Sequence, residues 1–218
     1  MQLLTSLRNS SLALTLFAVV TAALIAVTQV TTEQRIANNE REQQARALYE
    51  IIPKQRVSND LLSSGFEFVS YELTGSAEPA TGYRALQGDD VIAVILPAVA
   101  PDGYNGRINL IVGINADGSV AGVRVLGHQE TPGLGDKIEL KKSDWILSFN
   151  GTRKADNPNA WGVIKDGGQF DQFTGATITP RAVVKAVGYV QDYFAYNRAS
   201  LLELADTEHR DATRQEPN

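Results

Sequence analysis

The chain has 218 residues, 43% of them hydrophobic and 21% charged, with a formal net charge of −5; this balance fits one sizeable folded domain with appendages and excludes a wholly disordered chain. An acidic sequence without a basic stripe excludes nucleic acid as an expected partner. Cysteine is absent, which removes disulfides, iron–sulfur clusters and thiol catalysis as intrinsic features and leaves any redox chemistry to another cofactor.

Residues 9–32 carry no formal charge, and residues 12–30 are mostly Leu, Ala, Val, Ile and Phe. About 20 apolar residues suffice to cross a bilayer, so residues 9–31 read as a transmembrane helix behind a short cytoplasmic N-terminus, residues 1–8. A cleavable signal peptide competes with this reading. The run exceeds the usual apolar region of about 7–15 residues and no clear Ala-x-Ala site follows it, which favours a retained anchor. Arg8 precedes the span while Arg35, Arg41 and Arg46 follow it, so the positive-inside count does not by itself put the remainder outside. Those arginines alternate with Glu33, Glu40, Glu42 and Glu50, and large domains translocate largely regardless of flanking charge. Residues 32–53 read as a connecting helix, rich in Glu, Gln, Arg and Ala and ended by Pro53.

Residues 54–204 change texture to strands and turns. Residues 66–71 alternate as a strand does, and residues 91–96 form a short continuous apolar run. Residues 108–114 and 119–126 flank Asn115-Ala116-Asp117-Gly118, a β-hairpin whose Asp-Gly pair supplies the positive φ of a tight turn. The fold class predicted is α+β, a mainly antiparallel sheet packed by helices.

The hairpin delivers the chain into a shaped loop, Gly127-His128-Gln129-Glu130-Thr131-Pro132-Gly133-Leu134-Gly135-Asp136, for which a structural turn is the default reading. Glu130 is its acid candidate, either as a proton donor or as an acceptor of hydrogen bonds. His128 and His209 lie far apart without metal-ligand spacing, and no metal site is expected. Trp145 and Trp161 read as packing residues. Thr179 and Pro180 read as the N-cap and first residue of a helix that runs through Val183, Val184, Val187, Val190 and Phe194. A phosphate near Thr177 would meet unpaired N–H groups and the positive helix end, with Gly175 permitting close approach and Arg181 adding charge. An ordinary capped helix after a polar loop fits the same spacing. Residues 205–218 read as a polar, poorly ordered tail.

Asp171, Thr174, Gly175, Ala176 and Thr177 resemble the Asp-x-x-Ser/Thr-Gly-Ala-Ser/Thr motif of the FMN-binding domain family, and residues 130–135, Glu-Thr-Pro-Gly-Leu-Gly, resemble a second segment of that family. The resemblance implies that Thr177 carries FMN through a phosphoester bond, made by a flavin transferase that uses FAD as donor and recognises Asp171. Thr174, Gly175, Ala176, Glu130, Thr131, Gly133 and Leu134 are then expected around the cofactor. Asp136-Lys137-Ile138-Glu139 and Asp144-Trp145-Ile146 look more like the G subunits of Rnf/Rsx electron transport complexes than like the C subunits of sodium-pumping NADH:quinone reductases. That likeness implies a single-pass protein of the bacterial inner membrane with its main domain in the periplasm. Among the other membrane subunits of such a complex it would relay electrons between NADH and ferredoxin, or toward a redox-sensing regulator. A component like those C subunits, an enzyme acting on a diffusible substrate and a flavin-free assembly scaffold are the competing functions.

Overall fold

The computed structural model describes residues 14–22, 24–25, 29, 32 and 45–204. The chain divides into two compact units, residues 1–44 and residues 45–218. In the first, residues 14–22 are helical; among the described residues no helix is long and apolar enough to cross a membrane. The expectations for residues 1–8, for much of the span and the connecting helix before residue 45, and for the tail from residue 205 with His209 lie outside the described residues.

The second unit is built on a five-stranded antiparallel meander: β1 (Gly65–Phe68), β2 (Ala80–Gln87), β3 (Asp90–Gly103), β4 (Gly106–Asn115) and β5 (Val120–Gly127), in that spatial order. Helix α1 (residues 45–51) ends two residues before Pro53, and a short α2 (Tyr71–Thr74) follows β1. After β5 come short 3-10 turns, among them Gly135–Ile138 and Asp144–Phe149, and then a long α3 (Ile178–Leu202). The hairpin forms as its sequence predicts, with Gly118 at φ 92° and the Asp117 carboxylate accepting from the Ser119 N–H and hydroxyl. The strand predicted over residues 66–71 stops at Phe68, because the Ser70 hydroxyl accepts the Leu73 N–H and starts α2. The apolar run at 91–96 belongs to a longer strand that contains Pro97. β2 pairing ends at Ile95, so the missing proline N–H costs no ladder bond.

Each face of the sheet carries its own core. On one, Leu96, Leu110, Val112 and Ile114 meet Val183, Val187, Val190 and Phe194 of α3; burying one such side chain is worth about 1.5–3 kcal/mol. On the other, Leu48, Ile51 and Ile52 of α1 and its exit pack on Ala93, Ile95 and Ile111. A Cβ on Gly113 would stand 2.4 Å from Ile51 Cγ2, so this glycine makes a slot for the isoleucine. Arg124 donates to the Glu50 carboxylate (2.9 Å) and the Glu50 carbonyl (3.0 Å) at the end of α1. Arg84 donates to the carbonyls of Leu201 (2.9 Å) and Ser200 (3.2 Å), so a cation closes the C-terminus of α3. The N-terminus of that helix lies at the candidate site.

Candidate functional site

The β3–β4 turn and the exit of β5 share one end of the sheet, because Gly103 pairs with Gly106 and Asn109 with Gly127. Helix α3 begins at the same end: its Lys185 Nζ lies 3.0 Å from Asp102 Oδ2. Three segments distant in sequence therefore meet, the turn at 103–106, the glycine loop at 128–136 and the helix start at 174–179.

Glu130 is the residue that joins them. It is 4% exposed; its Oε1 accepts the Asn105 N–H at 3.0 Å and its Oε2 accepts the hydroxyl of Thr179, a residue with no exposed surface. The Glu130 N–H donates to His128 Nδ1 (3.0 Å), which leaves Nε2 as the protonated nitrogen facing Glu139 Oε1 at 2.7 Å. Thr131 closes the loop: its hydroxyl accepts from Asn105 Nδ2 (3.1 Å) and its carbonyl accepts the N–H groups of Leu134 (3.1 Å) and Gly135 (3.0 Å). Gly133, at φ 78°, donates its N–H to Asp136 Oδ1 at 2.8 Å. Gly135 has no room for a side chain, since a Cβ there would lie 2.8 Å from both Glu130 Oε2 and Thr179 Oγ1.

The threonine-rich stretch forms a turn and then the helix. The Ala176 N–H donates to the Phe173 carbonyl (3.1 Å), with Gly175 at φ 84°. Asp171, Thr174 and Gly175 are exposed, Ala176 and Thr177 half-buried. Trp145 fixes the stretch from behind by donating to the Asp171 carbonyl at 2.8 Å and packing edge-on against Phe173; Trp161 donates to the Val184 carbonyl. Both tryptophans pack, as expected. The expected cap does not form. Helix α3 starts at Ile178 with Thr177 in the N-cap position and no side chain capping it, because the Thr179 hydroxyl is drawn to Glu130. Pro180 then stands in the first turn, where a helical N–H has no intrahelical partner to lose.

The Thr177 hydroxyl thus lies beside an uncapped helix N-terminus, where backbone N–H groups and the helix dipole favour an anion. Across from it, Leu134 Cδ2 is 3.8 Å from where a Gly175 Cβ would stand, and Leu134 is 43% exposed. An acceptor hydroxyl, a bare backbone turn and an exposed apolar side chain fit a phosphate-linked aromatic group. Arg181 is not a free cation here, since its guanidinium makes two bonds to Asp166 (2.6 and 2.9 Å), which hold that carboxyl below its ordinary range. A cavity of about 350 Å³ lies at the other end of α3, beside Gly118, Gln191 and Arg198. Its Arg153 and Lys154 are paired with Asp117, Asp156 and Asp192, and none of the expected site residues lines it.

Of the residues expected from sequence, Glu130, Thr131, Gly133 and Leu134 lie on the glycine loop and Thr174, Gly175, Ala176 and Thr177 on the turn that leads into α3, with Leu134 beside Gly175. Asn105, His128 and Thr179 escaped sequence reasoning as members of the site. Asn105 sits in a Gly-Tyr-Asn-Gly turn whose only sequence signal is the turn itself, and its place follows from strand register.

The family model for the FMN-binding domain matches residues 103–191, and that for the RnfG N-terminal region matches residues 1–51. The chain is 47% identical over 200 residues to a Vibrio cholerae protein named as the G subunit of an ion-translocating oxidoreductase complex, covering 91% of this chain and 95% of that one. It is 48% identical over 198 residues to the protein of that name from Pseudomonas aeruginosa (90% and 92% covered). The Shewanella piezotolerans protein so named is 45% identical over 198 residues (90% and 93%).

Proposed function

The chain belongs to the family of G subunits of ion-translocating oxidoreductase complexes, and on that premise we propose that it is an electron-transfer protein of such a complex, with FMN carried on Thr177. The observation that carries the site assignment is the state of the three threonines at the start of α3. Thr179 is buried and spent on Glu130, and Thr174 stands on the exposed side of the Gly175 turn. Thr177 alone presents a hydroxyl at the uncapped helix end.

FMN, when bound, supplies the electron-accepting and electron-donating chemistry; the chain's own groups hold and orient it. Thr177 would hold FMN through a phosphoester to its hydroxyl oxygen; with FAD as donor and a flavin transferase acting in trans, that P–O bond would replace the pyrophosphate bond of FAD, with AMP and the hydroxyl proton released. The N–H groups of the first turn of α3 receive the remaining phosphate charge. The exposed Asp171 would be the contact for the transferase, Gly175 would admit the phosphate, and Leu134 would offer an apolar surface beside it. Glu130, Thr131 and Gly133 would hold in shape the loop that carries Leu134. A covalent tether keeps the flavin at high effective concentration outside the cytoplasm, where a dissociable one would be lost.

The same reading places residues 9–31 in the inner membrane as a single span, with residues 1–8 cytoplasmic, residues 32–53 connecting and residues 54–204 as the periplasmic FMN-binding domain. Leu14, Phe17, Val20, Leu24 and Ile25 are each at least half exposed, an apolar surface that water disfavours and lipid or a neighbouring membrane protein accepts. Likeness over about nine-tenths of the chain to proteins named as G subunits favours this role over that of a quinone-reductase C subunit, and the fit of the Thr177 turn to a phosphate disfavours a flavin-free scaffold. Intact mass of the protein purified from its own membrane tests the reading. The wild type should gain the mass of FMN less water and fluoresce on a denaturing gel, and Thr177→Val should lose both while keeping a cooperative melt. Retention of the flavin by Thr177→Val would falsify the assignment.

A further inference from the structure

Glu130 has an unusual environment for a carboxylate. It is buried beside the helix start, and none of the ion pairs among the described residues includes it. Both oxygens act as acceptors, one from the Asn105 N–H and one from the Thr179 hydroxyl. Neutral donors on two different elements hold it, and Thr179 is two residues from Thr177 on the first turn of α3. Gly103 and Gly135 leave just enough space around it, since a Cβ on either would approach a Glu130 oxygen to 2.9 and 2.8 Å.

We infer that Glu130 is a positioning residue that holds a buried carboxylate behind the flavin-bearing turn and thereby lowers the reduction potential of the flavin. This rests on the reading of Thr177 as the flavin carrier. Adding an electron places negative charge on the flavin, and a carboxylate held in a low-dielectric interior opposes it more strongly than one in water. Asn105 and Thr179 set the distance: they fix the carboxylate against the helix start, while the Thr131 carbonyl and the Asp136 carboxylate shape the loop that carries Leu134. The glycine loop therefore acts on the flavin through charge as well as shape. Attachment is a separate matter, since the transferase needs the Thr177 hydroxyl and its motif rather than Glu130.

The experiment uses full-length protein from its own membrane, with intact mass and a spectroelectrochemical titration on each sample. Glu130→Gln keeps the side-chain shape and both hydrogen bonds, because the Thr179 hydroxyl can turn to accept. It should carry FMN at the wild-type level and show a more positive flavin potential. Glu130→Asp keeps the charge and should stay closer to the wild-type potential, and Thr179→Ser, which restores the hydroxyl, should match the wild type. If Glu130→Gln lowers the folded yield, the folded fraction is separated by size and titrated alone. FMN-loaded Glu130→Gln with an unchanged potential overturns the inference while leaving the Thr177 assignment standing, and so does a shift in Glu130→Asp as large as that in Glu130→Gln. A wild type without covalent FMN overturns both.

Discussion

Thr177 and Thr179 stand two positions apart at the start of one helix, the first half-buried and making no capping bond, the second fully buried. Their difference comes from Glu130, which is 49 residues away from Thr179 in sequence. Gly135 belongs to the same contact. Gly135→Ala should cost about 1–3 kcal/mol, because its Cβ would enter the space of the Glu130–Thr179 pair. Gly133→Ala meets no atom within 4 Å and should cost about 1–2 kcal/mol through its positive φ alone. Chemical denaturation measures both losses, and equal flavin potentials in the two variants would argue against the Gly135 contact. At the hairpin, the Ser119 hydroxyl and N–H hold the Asp117 carboxyl below its ordinary range. That contribution is complete above the unfolded value near 3.9 and fades as pH falls through the lower folded value. The melting difference between wild type and Asp117→Asn should therefore narrow between neutral pH and about pH 3; a constant difference would remove the charge from the account. The shaped loop at residues 127–136 was legible from sequence because turn chemistry is local. The partner of Thr179 was not, since a buried carboxylate and a buried hydroxyl leave no periodic signal, and so the helix start was read two residues late.

At the scale of elements, α1 and α3 grip opposite faces of the sheet by different means. Helix α3 uses aliphatic bulk, which its spacing announces. Helix α1 uses a fitted slot, Ile51 over Gly113 and Gly122, and glycines inside strands read as weak points until their neighbour is known. Gly113→Ala should destabilise by about 1–3 kcal/mol through overpacking, and Ile51→Ala by about 2–5 kcal/mol through the cavity it leaves. The two losses should not add, because the truncated Ile51 leaves room for the new methyl group. Urea titrations of both single variants and the double variant measure this, and strict additivity would dissolve the slot. The hairpin and the buried run at residues 91–96 were legible because turn type and apolar pattern agree there. The length of β3 was hidden by Pro97, whose harmlessness depends on where β2 pairing stops.

At the scale of the molecule, the proposal puts residues 54–204 outside the cytoplasm on a retained anchor. Protease added to spheroplasts should cut the domain without lysis, and protection until lysis would reverse the orientation. The uncapped first turn of α3, a helix end left positive, is a small instability, and a phosphate fixed there should relieve about 0.3–2 kcal/mol of it, which for a domain of this size corresponds to a melting point higher by roughly 1–8 °C. Chains that never receive flavin should then open more often and be degraded faster in the cell. Under riboflavin limitation the amount of this protein should fall by proteolysis with its transcript unchanged, so that the supply of a vitamin sets how many copies of the complex the membrane keeps.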